Sequence, residues 1–157
     1  MLLTSHTFVG IAIAYTIPNP FIAVPLSFAM HFAGDLVPHW DFYSNTTVEA
    51  RKTGWRPLAV MAEFGIAVAV GVLATTHALW VLHNSHLALN IFLCAIAACL
   101  PDALTSFKIF FEKVPGPIRA LARVQHKLQF QAPLPWGVLT QLFVIVASSL
   151  VILNSAL

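Results

Sequence analysis

The chain has 157 residues, of which 59% are apolar and 9% charged, and its 8 Lys+Arg against 6 Asp+Glu leave a formal net charge of +2. An ordinary soluble domain carries about 25% charged residues, so this chain has too few to coat a globule of its size. The net charge is also too small for a basic face that tracks phosphates. Composition therefore argues against a soluble enzyme, a disordered tail and a nucleic-acid-binding domain, and a mean hydropathy of +0.82 makes a bilayer the expected solvent.

The opening MLLTSHTFVG has no Lys or Arg ahead of its apolar stretch. It lacks the basic region of a secretory signal and is read as a retained membrane segment. The apolar block from Thr4 to Val37 is interrupted by Pro18-Asn19-Pro20, a triplet that suits a tight turn and cannot continue a helix. The block thus divides into helices over 4–17 and 20–37. Further apolar runs predict helices over 57–82 and 87–100, with His83-Asn84-Ser85-His86 between them, and a last one over 135–153. The expected fold class is all-α: one integral membrane domain, 1–157, with about five transmembrane helices. A span needs roughly 20 residues, so the segments 4–17 and 87–100 are short. Cys94 and Cys99 match no zinc-finger or disulfide spacing.

All eight basic residues fall in two segments: Arg51, Lys52 and Arg56, then Lys108, Lys113, Arg119, Arg123 and Lys127. The positive-inside rule puts both on the cytoplasmic side of a cell (inner) membrane, with the N-terminus cytoplasmic. Trp40, Trp55 and Trp136 then mark that interface and Trp80 the opposite one. The polar segment 104–134 is broken at Pro115-Gly116-Pro117. Its second half, IRALARVQHKL, sets Ile118, Leu121 and Leu128 near one stripe and Arg119, Arg123 and Lys127 along another. This predicts an amphipathic helix on the membrane surface. Membrane lipids are the expected partners. Anionic headgroup contact through Arg119, Arg123 and Lys127 is the functional reading, and ordinary positive-inside charge is the simpler one.

An ionisable residue inside the bilayer costs about 2.5–3.5 kcal/mol on insertion scales and usually has a task. In this topology His6, His31, Asp35, His39, Asp41, Glu63, Asp102 and His126 all map to the cytoplasmic side, and His77, His83 and His86 to the other. The densest run is His31-Phe32-Ala33-Gly34-Asp35-Leu36-Val37-Pro38-His39-Trp40-Asp41. Residues four apart share a helix face, so His31 and Asp35 can address one object. Pro38 disfavours helix at Val37, and a turn there can fold His39 back beneath Asp35. Imidazoles and carboxylates in this arrangement suit a divalent cation, zinc first, with manganese or iron(II) as alternatives. The metal candidates are His6, His31, Asp35, His39, Asp102 and His126. Glu63 or Asp41 would be the general base for a metal-bound water. Taken singly, each has an ordinary explanation: Asp102 as a helix cap, Glu63 paired with Arg56, His126 facing the cytoplasm.

The string HFAGDLVPHWD resembles the zinc-dependent phospholipase C signature, although His39 directly follows Pro38 where that signature has an intervening residue. A broader pattern resembles small bacterial integral membrane proteins of the inner-membrane metal-dependent hydrolase type. It consists of Ser5-His6 with Gly10, the turn from Gly34 to Asp41, Leu100-Pro101-Asp102, and His126-Lys127. The resemblance implies a helical membrane fold and a metal site built from these positions. This chain has Gln131-Ala132 where those proteins carry a further His-Ser. The resulting expectation is a metal-dependent membrane hydrolase acting on a phosphate ester of a lipid or lipid-linked substrate. The alternatives are a non-enzymatic protein whose polar cluster ties helices together, and a small transporter. Transport sites are expected near the midplane, where helices 4–17, 87–100 and 135–153 carry no ionisable residue.

Overall fold

The computed structural model describes residues 1–42, 46–47, 53–110 and 114–156, with side chains except at 107–110 and 156. Arg51, Lys52 and Lys113 lie outside the described residues. Among the described residues there are six helices: α1 (Leu3–Thr16), α2 (Pro20–Asp35), α3 (Arg56–Trp80), α4 (Ser85–Phe110), α5 (Gly116–Leu128) and α6 (Trp136–Ala156). The architecture is all-helical, and the one β-type pairing among the described residues is an isolated parallel bridge between His39 and Gln131.

The Pro18-Asn19-Pro20 turn forms as the sequence implies. Asn19 caps α2 by accepting the Phe21 N–H at 3.0 Å, and Pro20 occupies the first turn, where its missing N–H costs nothing. Asn84 likewise caps α4 through the Leu87 N–H at 2.9 Å, after His83 turns the chain with φ of 51°. One boundary departs from expectation. Helix 87–100 does not stop before Pro101; α4 runs on through Asp102 to Phe110. A proline inside a helix removes one backbone bond and crowds the preceding turn, but a neighbouring side chain can satisfy the freed groups. The bond lost is the one to Ala97, four residues back; beside it the Nδ1–H of His31, on α2, donates to the Ala98 carbonyl at 2.7 Å and ties α2 to this turn of α4.

Helix α1 is the hub, packing against α2, α3, α4 and α6. Its close approach to α4 requires Gly10, where a Cβ would sit 2.7 Å from the Cys94 carbonyl oxygen and 3.0 Å from the Ala98 Cβ. Ile11, Ala14, Ala23, Ala78, Ala88, Ile91 and Cys94 fill an apolar core around the C-terminal half of α1. The N-terminal half of α1 instead meets polar groups, with Ser5, His6 and Thr7 buried beside His31 and Asp35 of α2. Outward, the pattern reverses: Phe21, Leu58, Met61, Leu73 and Phe143 all stand exposed. An apolar exterior around a polar interior is the arrangement a bilayer favours. Among the described residues three helical segments, Arg56–Trp80, Ser85–Ser106 and Trp136–Ser155, are long and apolar enough to cross a membrane, which points to a membrane protein. By contrast α1 and α2, with 14 and 16 residues, extend about 21 and 24 Å along their axes.

Candidate metal centre

The polar centre is assembled at one end of the bundle. Helix α1 contributes His6, α2 contributes His31 and Asp35, the following turn contributes His39, and α4 contributes Asp102. His6, His31, Asp35 and His39 are at most 1% exposed. Asp102 alone of the five keeps appreciable accessible surface, 26% of its side chain.

Ligand atoms of His6, His31 and Asp102 all lie within 4.8 Å of one another. The rings of His6 and His31 stack with centroids 4.0 Å apart. Asp35 sits between the contributing elements: its Oδ1 is 3.4 Å from His6 Nε2, and its Oδ2 is 3.5 Å from His31 Nε2. His31 Nε2 is in turn 3.6 Å from Asp102 Oδ1. Backbone carbonyls fix which nitrogen faces the centre. A carbonyl only accepts, so the bond from His31 Nδ1 to Ala98 O places the proton on Nδ1 and turns the Nε2 lone pair inward. His39 is set the same way by Val37 O at 2.8 Å. This carbonyl–imidazole arrangement is the one that orients metal-ligating histidines.

The amine of Met1 also reaches the centre, bonded to Asp35 Oδ1 and lying 2.8 Å from His39 Nε2. Burial, with that neighbouring positive charge, holds the His39 imidazole below its ordinary pKa. Within the site, Asp35 Oδ2 and His6 Nε2 are buried without a hydrogen-bond partner. Buried polar atoms are usually satisfied, and an unsatisfied pair among inward-facing ligands is the donor chemistry a cation completes.

His39 is held by neighbouring backbone as well as by its own ring. Its N–H donates to Phe130 O at 3.0 Å, its carbonyl accepts from Ala132 N at 2.8 Å, and Phe130 N donates to Asp35 O at 3.0 Å. The segment that follows α5 therefore clamps the turn that follows α2. Gln141 of α6 closes the same region, accepting from Leu2 N at 2.7 Å and donating to Trp40 O at 2.8 Å.

The remaining candidates fall elsewhere. Glu63 accepts the Thr4 backbone N–H at 2.8 Å and so satisfies the first turn of α1 from α3. Asp41 is half-buried just beyond His39. His126 is exposed, and the residue that turns into the centre is its neighbour Gln125. The face of α5 that packs inward carries Ile118, Leu121, Ala122 and Gln125, which leaves Arg119, Arg123, His126 and Lys127 outside. Gln125 Nε2 lies 3.0 Å from His31 Nε2 and also bonds Asp102 Oδ1, while its Oε1 accepts from Thr105 Oγ1 at 3.0 Å. Sequence reasoning favoured His126 by residue type. The cue for Gln125 was its place four residues after Leu121 on the apolar stripe.

No family model, curated protein or solved structure matches this chain.

Proposed function

We propose that this protein is an integral membrane hydrolase that uses a divalent metal held by His6, His31 and Asp102, with Asp35 beside them. One observation carries the reading: three ligand atoms from three helices lie within 4.8 Å of one another, next to buried carboxylate and imidazole atoms that nothing else satisfies. Interhelical hydrogen bonds in membranes average only about 0.6 kcal/mol. A purely structural cluster would thus gain little from leaving two of its buried atoms unpaired. Zinc suits a nitrogen- and carboxylate-rich set, and manganese or iron(II) also fits it. Such an ion, when bound, lowers the pKa of a coordinated water and polarises a phosphoryl oxygen.

The chain's own residues would then divide the work. His31 is oriented by Ala98 and His39 by Val37, so both offer a lone pair without first losing a proton. We assign Asp41, half-buried two residues after His39, as the general base that would accept a proton there. Glu63 is occupied by α1, so we assign it to holding His6 in place. In the bilayer we infer five crossings, with Arg56 at the start of α3 and the basic face of α5 on the cytoplasmic side and the N-terminus cytoplasmic. The centre would lie at headgroup depth, beside the exposed Arg119, Arg123 and Lys127 of α5. That position favours a phosphate ester of a lipid or lipid-linked substrate, with the basic face contacting anionic headgroups.

The test is metal content of the detergent-purified protein by mass spectrometry, for wild type, His31→Ala and Asp102→Asn, followed by phosphate release from diacylglycerol phosphate. Stoichiometric metal that both folded variants lose, with phosphate release that follows it, supports the reading. Absence of stoichiometric zinc, manganese or iron after each is supplied overturns it.

A further inference from the structure

We propose that the end of the bundle opposite the polar centre carries a binding site for the glycerol–ester segment of an uncharged glycerolipid of the diacylglycerol type. The inference rests on the membrane fold alone and is independent of the metal reading.

A cavity of about 310 Å³ opens there between the C-terminal end of α1, the α3–α4 turn and the last turn of α6. Asn90, in its lining, and Asp102, in the polar centre, are twelve residues apart on α4, about 18 Å along the helix axis. The volume is at the lower end of the roughly 300–1,000 Å³ of small-molecule sites. Internal bonds hold its shape. The amide of Asn90, which is 1% exposed, donates to Ala14 O at 3.0 Å and to Ile17 O at 2.9 Å, fastening α4 to the end of α1. Across the cavity, Asn84 N–H donates to Ala78 O at 2.9 Å, and Asn84 Oδ1 accepts the Leu87 N–H at 2.9 Å. A site formed before its ligand arrives spends little ordering entropy on binding.

The chemistry of the lining selects the occupant. Tyr15 Oη, His86 and Ser155 Oγ border the cavity and make no hydrogen bond among the described residues. The Asn84 Nδ2 adds a fourth group able to donate. The segments that build this end, 3–34, 64–101 and 128–157, contain no Asp, Glu, Lys or Arg. No lysine or arginine is there to pair with a phosphate, and no carboxylate to hold an amine. The matching ligand is uncharged and rich in acceptors, as two ester carbonyls beside a hydroxyl are. Pro18, Leu82 and Leu87 supply the apolar part of the lining, which suits the glycerol carbons and the first methylenes. Leu82 and its neighbours Trp80 and Val81 stand exposed, so acyl chains can continue along the apolar end of α3. An exposed Trp at this level marks the membrane–water interface, the depth at which lipid esters lie.

Photolabelling of the full-length protein in phosphatidylcholine nanodiscs tests this, with a diacylglycerol that carries a diazirine near the start of one acyl chain. Peptide mapping should find the label within 79–90 or 150–156. Unlabelled dioctanoylglycerol should displace it, and the phosphate ester of dioctanoylglycerol should not. Tyr15→Phe combined with Ser155→Ala removes two donors and should weaken displacement about tenfold. His31→Ala, in the polar centre, should leave it unchanged, so failure of the metal reading and failure of this one are told apart. Label spread along the outer faces of α3 and α6 and resistant to displacement overturns the site, because it then reports ordinary lipid contact. Equal displacement by the phosphate ester overturns an uncharged ligand, and unchanged displacement in the folded double variant overturns the assigned donors. The wild-type map decides the question even where a variant fails to fold.

Discussion

Gly34 lies against the ring of His6: a Cβ at position 34 would come 3.2 Å from His6 Cε1 and 2.9 Å from the terminal methyl of Met1. The Met1 side chain is flexible and can give way. The His6 ring is stacked on His31 and has little room to do so. Gly34→Ala should therefore displace His6 by a few tenths of an ångström while leaving α2 intact. We expect metal affinity to fall on the order of tenfold, in the range seen when supports of a ligand are removed. Competition against a chromophoric chelator measures this. An unchanged affinity would place His6 outside the coordination set.

Gly10 offers a sharper steric test, because its neighbours are backbone and a short side chain on α4. A Cβ 2.7 Å from the Cys94 carbonyl cannot be absorbed by a rotamer change. Gly10→Ala should lower stability by about 1–3 kcal/mol, the usual cost of overpacking. Gly65→Ala is the control: nothing lies within 4 Å of its Cβ, and the added helix propensity should leave stability equal or higher by up to about 1 kcal/mol. Thermal unfolding in detergent compares the two.

Gln125 and His126 are adjacent but should behave oppositely. Gln125→Ala removes the amide that bonds Asp102 and His31, so the metal-free protein should lose about 1–3 kcal/mol as buried acceptors go unsatisfied. The same change frees two ligand atoms, and metal should bind at least as tightly as in the wild type. His126→Ala should alter neither. Paired unfolding and metal-binding curves for the three proteins check this.

The lowered pKa of His39 has a defined consequence for acid stability. Burial and the Met1 ammonium depress it in the folded state, so below an ordinary imidazole value of about 6.5 the unfolded chain binds the proton more readily. Stability is then fully present above about pH 6.5 and declines as pH falls through it. Nearby Asp35 and Asp41 oppose the shift without reversing it. His39→Gln should flatten this part of the curve of Tm against pH, and an unchanged slope would assign it to another group.

Much of the centre could be read from residue order because it depends on local geometry. His31 and Asp35 share a face by helical spacing, and Pro38 forces the turn that carries His39 under them. Asp102 was legible as a residue type, but the helix around it was not. Pro101 reads as a stop, and residue order does not show that α4 continues through it with His31, far away in the chain, bonded to the adjacent turn at Ala98. The choice between Gln125 and His126 turned on the rotational phase of α5, which its apolar stripe sets. The Met1 amine carries no side-chain signature at all, so its contact with Asp35 emerges only from the packing of α1 against α2.

The backbone pairing of Asp35 and His39 with Phe130 and Ala132 bears on how the protein is made. Ribosomes deliver the chain from its N-terminus, so α1 and α2 enter the membrane long before residues 130–132 exist. Until those residues emerge, the turn carrying His39 lacks its clamp, and Gln125 has not yet arrived to hold Asp102. The centre is therefore completed late in synthesis, and a nascent chain arrested before α5 would hold most of its ligands without the scaffold that aligns them.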